Sequence, residues 1–236
     1  MAPKAHRTER RTDALSKSRI VVTAIDILDA GGERALTFRA LTARLATGAG
    51  AIYHHVADKD QLLTATTEHV IAGVLENHRR AGAQRPGTQF PDAASPHEAI
   101  RTFALGIFDV IDAHPWVGTE LARQPWQLAM AQIFEAVGVQ LHALGVAQND
   151  LFNAGSALVN YILGVAGQNA ANARQVPVGT DRATFLNEIT DRWLQHDAED
   201  YPFVHMAAAQ LREHDDREQF LAGIDIFLAG VQSQIG

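Results

Sequence analysis

The chain has 236 residues, of which 47% are hydrophobic and 20% are charged, and it contains no cysteine. This length allows one large domain or two small ones, and the composition excludes a wholly disordered chain. The lack of cysteine excludes disulfides, thiolate catalysis and cysteine-ligated zinc. No apolar stretch approaches the roughly 18 to 20 residues that cross a bilayer, and the charged N-terminus lacks the apolar region of a signal peptide. We therefore expect a cytoplasmic protein without a membrane segment.

Positive charge is concentrated near the N-terminus. Residues 1–60 hold ten lysines and arginines against seven aspartates and glutamates, whereas the whole chain holds 20 against 27. The formal net charge of −7 therefore combines a basic segment with an acidic remainder. Two interpretations fit this distribution: an anion-binding module attached to a larger body, or a basic tail that keeps the protein soluble.

The chain begins with a predicted flexible arm at residues 1–16, which are polar, basic and without an apolar period. The arginines of this arm could enter the minor groove of a duplex, or the arm could be only a tail. Ser16 is a suitable N-cap for a first helix that runs to about residue 30, where Gly31 and Gly32 close it.

Two short helices and a long one are predicted next. Thr37 caps the second helix, the third lies near residues 50–56, and the D-x-x-Q pattern at residues 58–61 is a capping box that opens the fourth. We expect a small core shared by apolar residues of the first three helices: Ile20, Ala24, Ile27, Leu41, Leu45, Ile52 and Val56.

A connector at residues 81–97, rich in proline, glycine and alanine, precedes the rest of the chain. Ser95, Pro96 and Glu98 then form a helix-start pattern, and that helix runs to about residue 113. Further helices are predicted at 130–144 with a stop at Gly145, at about 149–173, between the breakers at 176–179 and 201–202, and around 220–231. No long stretch alternates with period two, so the predicted fold is all-α.

The last predicted helix is apolar on more than one side. Phe220, Ile224, Phe227 and Val231 share one face, whereas Leu221 and Leu228 are assigned to another. A helix of this kind has to bury both faces. The small residues of the helix at 149–173 would allow close packing beside it, either in a dimer interface or in a wholly intramolecular core.

Residues 36–63 carry the most specific pattern of the sequence, LTFRALTARLATGAGAIYHHVADKDQLL. Two short helices held at a fixed angle suit a helix-turn-helix, in which one helix crosses the phosphate backbone and the other enters the major groove. The segment, centred on the aromatic-x-His-apolar-x-x-Lys signature of residues 53–59, resembles the DNA-binding segment of the tetracycline-repressor-like (TetR) family. A weaker likeness to the ligand-binding half of the tetracycline-repressor subgroup lies at 201–202, 214–216 and 220–230.

The resemblance implies an N-terminal three-helix DNA-binding domain at residues 17–66 and a larger ligand-binding and dimerisation domain at residues 67–236. It also implies the DNA contacts, with Tyr53 and Lys59 on phosphates and His54 facing the groove. A solvated histidine at a helix end is an equally open interpretation of His54. The predicted DNA-binding residues are Thr37, Arg39, Thr47, Ala49, Gly50, Tyr53, His54 and Lys59.

The turn of this motif departs from the family pattern. Ala46 stands where many relatives have glycine, and an alanine with positive φ would be strained. We therefore expect the turn to adopt another set of backbone angles or to rely on Gly48. The small side chains of residues 48–51 offer few hydrogen bonds to base edges, although they could contact thymine methyl groups.

The middle of the chain mixes aromatic and polar residues in a way that suits a drug-sized ligand. The predicted effector contacts are Trp116, His142, Asn160 and Gln168, and core packing or surface exposure is the alternative for each. No cofactor and no metal site is predicted, because the histidine and acidic clusters at 196–200 and 214–216 lack the spacing of helical zinc ligands. A metal brought by the effector remains open.

The sequence therefore predicts a ligand-responsive transcriptional regulator, as the resemblance implies. It would act as a repressor that binds a palindromic operator as a homodimer and is released by a small-molecule inducer. Catalytic signatures such as G-x-S-x-G, H-E-x-x-H or a phosphate-binding glycine loop are absent, so no enzymatic activity is expected. The alternative is a helical small-molecule-binding or detoxifying protein whose DNA-binding module no longer functions.

Overall fold

The computed structural model describes residues 15–83, 95–176 and 179–235. Within these ranges the chain is helical and contains no β-strand, which confirms the predicted all-α class. The predicted arm at residues 1–16 and the connector at residues 81–97 lie largely outside the described residues. The helices are α1 (Lys17–Ala35), α2 (Phe38–Leu45), α3 (Ala49–Tyr53), α4 (Lys59–Ala83), α5 (Pro96–Ala113), α6 (Pro115–Arg123), α7 (Leu128–Ala143), α8 (Leu151–Ala173), α9 (Arg182–Trp193), α10 (Pro202–Arg212) and α11 (Asp216–Ile235).

The first three helices and the first two turns of α4 form a unit that we call the head. Ser16 caps α1 as predicted, since its hydroxyl accepts a hydrogen bond of 3.2 Å from the Arg19 N–H. Regular helix is interrupted at Gly32, which has φ 68° and ψ −172°, a conformation that favours glycine. The break lies where the sequence predicted it, and a short helical stretch then continues to Ala35.

The head has its own small core, and this prediction is confirmed. Every residue predicted for it is buried: Ile20, Ala24, Ile27, Leu41, Leu45, Ile52 and Val56. Leu36, Leu62 and Leu63 complete the cluster from the ends of α1 and α4. Burying side chains of this size stabilises the unit by about 1.5 to 3 kcal/mol for each leucine, isoleucine or valine, before entropy is counted.

The start of α4 is fixed by the predicted capping box. The Gln61 N–H donates to the Asp58 carboxylate at 2.7 Å, and the Gln61 side-chain oxygen accepts from the Ala57 N–H at 2.7 Å. The helix then leaves the head and packs against α5 through Val70, Ile71 and Val74. One continuous helix thus joins the head to the rest of the molecule, which we call the body (α5–α11).

Helix α5 is the centre of the body. Its first turn is capped by Ser95, whose hydroxyl accepts a hydrogen bond of 3.2 Å from the Glu98 N–H, as predicted. The side chains of Phe103, Ile107 and Ile111 are buried, and α5 packs against α4, α7 and α8. The hydrophobic core is therefore continuous from the head into the body.

Two helices of the body were not predicted. Helix α6 begins at Pro115 and α10 begins at Pro202, and each proline stands in the first turn of its helix. The sequence interpretation treated Tyr201–Pro202 as a breaker, but proline is well tolerated at the first helical position because its missing N–H would have no partner there. The predicted division of this part of the chain is corrected accordingly.

Helices α8 and α11 approach each other closely within one protomer. The Tyr161 hydroxyl of α8 donates a hydrogen bond of 3.1 Å to the Phe220 carbonyl of α11. A Cβ atom at Gly223 would lie 1.9 Å from the same hydroxyl. A larger residue at Gly223 would have to displace the Tyr161 ring.

The two apolar faces of α11 differ from the prediction. Leu228 is fully buried, as are Phe220 and Ile224, and Val231 is largely buried, so Leu228 belongs to the main buried face. Its position eight residues after Phe220 keeps it within about 80° of that residue around the helix. The large apolar residue of α11 that is exposed is Ile226, at 75%, with the exposed Ala222 and Ala229 on the same helix. The helix does have a second apolar side, but Ile226 is its large residue, whereas Leu221 is partly buried against the core.

Candidate nucleic-acid interface

The α2–α3 pair is built from a capped helix, a tight turn and a second helix of five residues. Thr37 caps α2, since its hydroxyl accepts a hydrogen bond of 3.1 Å from the Ala40 N–H. Gly48 precedes α3 with φ −83° and makes no side-chain cap. Buried Leu41 and Ile52 hold the two helices on the head core. The angle between the helices is therefore fixed by packing.

The turn between α2 and α3 passes through a left-handed alanine. Ala46 has φ 50° and ψ 44°, and it is the one non-glycine residue with positive φ among the described residues. The expectation that the turn would avoid this conformation or rely on Gly48 is wrong. The N–H groups of Ala46 and Thr47 both donate to the Thr42 carbonyl, and these bonds close the end of α2 despite the strain at Ala46.

Replacing Ala46 with glycine should leave the fold intact and raise the free energy of unfolding by up to about 1 kcal/mol. A left-handed alanine costs roughly 1 to 2 kcal/mol, and part of that gain is offset by the greater entropy of glycine in the unfolded chain. Chemical denaturation measures the difference. Ala43→Gly is the matched control, because Ala43 is exposed on regular helix and its replacement should cost about 1 kcal/mol. Equal destabilisation by both changes would contradict the argument.

The side chains predicted to contact DNA are accessible on the head. Arg39, Ala49, Gly50 and His54 are exposed, Thr47 is partly exposed, and Tyr53 is 53% exposed. His55 is partly buried, and its ring meets that of His54 edge-on at 5.5 Å. Among these, Arg39 lies on α2, Tyr53 ends α3 and His54 follows it. Such groups suit a polyanionic surface.

Tyr53 is held in place by a contact that sequence reasoning missed. Its ring stacks on that of Phe38, with 4.5 Å between the ring centroids and 11° between the planes. Phe38 opens α2 and Tyr53 ends α3, so the stack also bridges the two helices. The aromatic pair orients an exposed phenol without burying its hydroxyl. The fifteen positions that separate the residues follow no helical period, so the sequence carried no signal for this pair.

Lys59 lies in the first turn of α4 and is directed to the end of α1. Its ammonium group donates to the Glu33 carbonyl oxygen at 2.7 Å and lies 3.5 Å from the Glu33 carboxylate. The Lys59 side chain remains 37% exposed. An ammonium has three donors, so the bond to Glu33 leaves Lys59 able to meet a further acceptor.

Comparisons with known proteins agree with this geometry. Residues 20–66 match the model of the family described as bacterial regulatory proteins, tetR family. The solved structure of SCO7222, a TetR transcriptional regulator from Streptomyces coelicolor, is 44% identical, with a TM-score of 0.82 over 94% of this chain and 100% of that chain. The chain belongs to the TetR family. It is a DNA-binding transcriptional regulator, and its head is the helix-turn-helix of that family.

Two further relatives of this TetR-family chain are less similar. An HTH-type transcriptional regulator of Saccharopolyspora erythraea is 28% identical over 178 residues, which are 74% of this chain and 69% of that protein. The structure of ActR from Streptomyces coelicolor in complex with actinorhodin is 22% identical, covers 94% of this chain and 99% of that chain, and has a TM-score of 0.72. At that level of identity the likeness to ActR concerns the fold.

The predicted effector residues of this TetR-family regulator lie in different surroundings. Trp116 is buried in the body near α1, with 7% of its surface exposed, and its indole N–H donates to Asp29. His142, Asn160 and Gln168 are exposed on α7 and α8. These three side chains therefore do not line an enclosed cavity within the protomer.

The described residues contain neither a group of metal-binding side chains nor a membrane-spanning helix. Within residues 15–83, 95–176 and 179–235, no three histidine or acidic side chains form a group that could hold a metal ion. None of the described helices combines the length and apolar character needed to cross a membrane. His214 instead lies 2.8 Å from Asp216, which also pairs with Arg182 at 2.7 Å.

Proposed function

We propose that this TetR-family regulator represses transcription as a homodimer on a two-fold symmetric operator and that a small-molecule inducer releases it. The observation that carries the proposal is the exposed ring of Tyr53, which stacks on Phe38. Arg39 and His54, the chain neighbours of Phe38 and Tyr53, are exposed as well. A phenol and a guanidinium in fixed positions suit phosphate oxygens, and an exposed histidine beside them suits a base edge. The domain boundary proposed for this division of labour is at residues 66–67.

Each predicted DNA contact has a proposed role in this scheme. Thr37 caps α2, whose remaining first-turn N–H groups face a phosphate, and Tyr53 and Lys59 bind further phosphates. Arg39, Thr47 and His54 contact base edges. Ala49 and Gly50 have little side chain, so they allow the backbone of α3 to approach the groove closely.

The homodimer is supported by apolar side chains that the protomer leaves uncovered. Phe152 on α8 is 77% exposed and Ile226 on α11 is 75% exposed. The two helices already pack against each other in one protomer. A second copy related by two-fold symmetry would cover both side chains with a four-helix contact, in which each helix pair buries the other's apolar surface.

Binding of an inducer is supported by two polar atoms that lack partners, one on α4 beyond the head and one at the residue that precedes α7. The hydroxyl of Thr67 and the side-chain oxygen of Gln127 are buried without a hydrogen bond within the described structure. Most buried polar side-chain atoms have a hydrogen-bond partner in the protein or in ordered water, so these two atoms are candidates to bind a polar group of an inducer. Trp116, His142, Asn160 and Gln168 remain proposed effector contacts, and the relative ActR was solved in complex with a small molecule, actinorhodin.

Operator binding with a strong salt dependence tests the proposal. DNA that flanks the gene is titrated with the protein at 50 and 200 mM salt, and the affinity should fall by about 1000-fold if six or more phosphates are contacted. If the protein binds no duplex DNA even at 50 mM salt, the proposal is overturned. If such a protein still bound small molecules, the alternative would hold, which is a helical binding or detoxifying protein with a non-functional head.

Lys59→Ala is expected to weaken operator binding about equally for all sequences and to lower the salt slope by about one unit, since one phosphate contact is lost. The ion pair between Lys59 and the Glu33 carboxylate provides the control. Glu33→Gln removes the ionic partner but keeps the lysine, so operator affinity should stay the same or rise. If Glu33→Gln weakens binding as much as Lys59→Ala does, the lysine acts only within the fold of the head.

A further inference from the structure

One carboxylate oxygen of the head receives two hydrogen bonds from the body. Oδ1 of Asp29, on α1, lies 2.8 Å from the indole nitrogen of Trp116 and 2.8 Å from Nδ1 of His114. An indole N–H only donates and an ionised carboxylate only accepts, so Nδ1 of His114 must carry a proton for the second bond to form. Both donors are distant from Asp29 in the chain, and the contact joins two units.

The two donors differ in burial, and the buried one is held rigidly. Trp116 is 7% exposed, so its ring cannot turn without disturbing the packing around it. His114 stands between α5 and α6, where it ends one helix and precedes the other, and its side chain is 26% exposed. A buried indole needs a partner for its N–H, and Asp29 supplies that partner from the head.

The other end of α6 also holds the head. Both terminal nitrogens of the Arg123 guanidinium donate to the Asp60 carboxylate at 3.2 Å, and the Thr64 hydroxyl lies 3.3 Å from the side-chain oxygen of Gln124. Asp60 and Thr64 belong to the first turns of α4, whereas Asp29 belongs to α1. The two ends of α6 therefore bind two different helices of the head, α1 and α4. Two separate attachments to one helix restrict rotation as well as translation.

We propose that Asp29 is a positioning residue for operator binding. By accepting from both Trp116 and His114, it fixes the orientation of the head on the body, and in a homodimer it thereby sets the separation of the two heads. This inference rests on the proposed function, because the separation of the heads matters only if both bind one operator. Asp29 itself makes no contact with DNA in this scheme.

The orientation can be measured without DNA. The chain contains no cysteine, so Ala43→Cys on α2 and Asn172→Cys on α8 introduce two nitroxide labels at exposed positions, one on the head and one on the body. Diluting the labelled chain with unlabelled protein leaves only distances within one protomer. Double electron–electron resonance should give one narrow distance for the parent protein and a broader or displaced distribution after Asp29→Ala.

Conservative variants separate positioning from folding. Asp29→Asn keeps an acceptor oxygen and should retain the narrow distribution. Trp116→Phe keeps an aromatic ring but loses the donor, so it should broaden the distribution as Asp29→Ala does, and the two changes together should add little further. Asp26→Ala, an exposed aspartate three residues earlier on α1, is the matched control and should change nothing. An unchanged distribution for Asp29→Ala would overturn the proposal.

Operators with different spacing give the second measurement. The parent protein should prefer the native separation of the half-sites over one lengthened by two base pairs, and Asp29→Ala should reduce that preference by about tenfold, the equivalent of one charge-assisted hydrogen bond. Equal weakening on both operators would overturn the positioning role. If the parent protein binds neither operator, the proposed function fails, and the spin-label distances still decide what Asp29 does.

Discussion

Replacing Ile226 with aspartate is expected to dissociate the proposed homodimer and to lower operator affinity by about 100-fold. Two linked heads bind one operator with an avidity that exceeds the affinity of either head by two orders of magnitude or more. Ile226 is 75% exposed in the protomer, so the substitution leaves the protomer core intact, but a dimer contact over α11 would have to bury the new charge. Sedimentation equilibrium at micromolar concentration and fluorescence anisotropy with operator DNA measure the two effects.

Val139→Asp is the matched control for this experiment. Val139 is 52% exposed on α7, a helix that is not part of the proposed contact between α8 and α11. It should leave both the dimer and the operator affinity unchanged. Phe152→Asp on α8 should reproduce the result of Ile226→Asp, because both side chains belong to the same proposed contact. If the Ile226 and Phe152 variants remain dimers with full affinity, the contact does not involve this face.

The helix-turn-helix could be predicted from sequence because its determinants are local. The caps at Ser16, Thr37 and Asp58 act on N–H groups three residues away, and the apolar residues of the head core recur at helical spacing. The backbone conformation of Ala46 could not be predicted in this way. Its strain is tolerated because the packing of Leu41 and the flanking hydrogen bonds over-determine the turn.

Contacts between residues that are distant in the chain could not be predicted from the sequence. Asp29 and Trp116 meet across the boundary of head and body, and neither residue type implies the other. The faces of α11 were misjudged for a related reason. The angular position of Leu228 is compatible with either side of a broad apolar face, and only the packing of α8 and α5 beside the helix decides that it is buried.

Replacing Arg123 with alanine is expected to lower the free energy of unfolding by about 2 to 3 kcal/mol at neutral pH. Arg123 forms a two-pronged ion pair with Glu120, with bonds of 3.0 and 3.1 Å. Glu120 is 3% exposed, so the substitution leaves a buried carboxylate without its counter-charge, which is the costly way to break such a pair. The guanidinium is 39% exposed, which keeps the cost below that of a fully buried pair.

The exposed pair on α4 provides the matched control for this substitution. Arg80 lies 2.9 Å from Glu76, and its side chain is 66% exposed. Arg80→Ala should therefore change the free energy of unfolding by less than about 0.5 kcal/mol. Urea denaturation of the parent protein and both variants measures the difference. If Arg123→Ala lowers the free energy of unfolding by no more than Arg80→Ala does, water replaces the guanidinium beside Glu120 and the prediction is wrong.

The loss caused by Arg123→Ala should depend on pH in a defined direction. Burial already raises the pKa of the Glu120 carboxyl above its usual range, and the Arg123 guanidinium acts against this rise. Without Arg123 the pKa of Glu120 should rise further in the folded state, while in the unfolded chain it stays near about 4.3. At a pH between these two pKa values, the folded variant holds a proton that the unfolded chain has released. The free energy of unfolding of the variant therefore decreases as pH rises from the unfolded pKa to the folded pKa, and it is recovered in acid. Glu120→Gln in the same variant removes the charge permanently and should abolish this pH dependence, since an amide keeps the hydrogen bonding capacity of the site without a group that titrates.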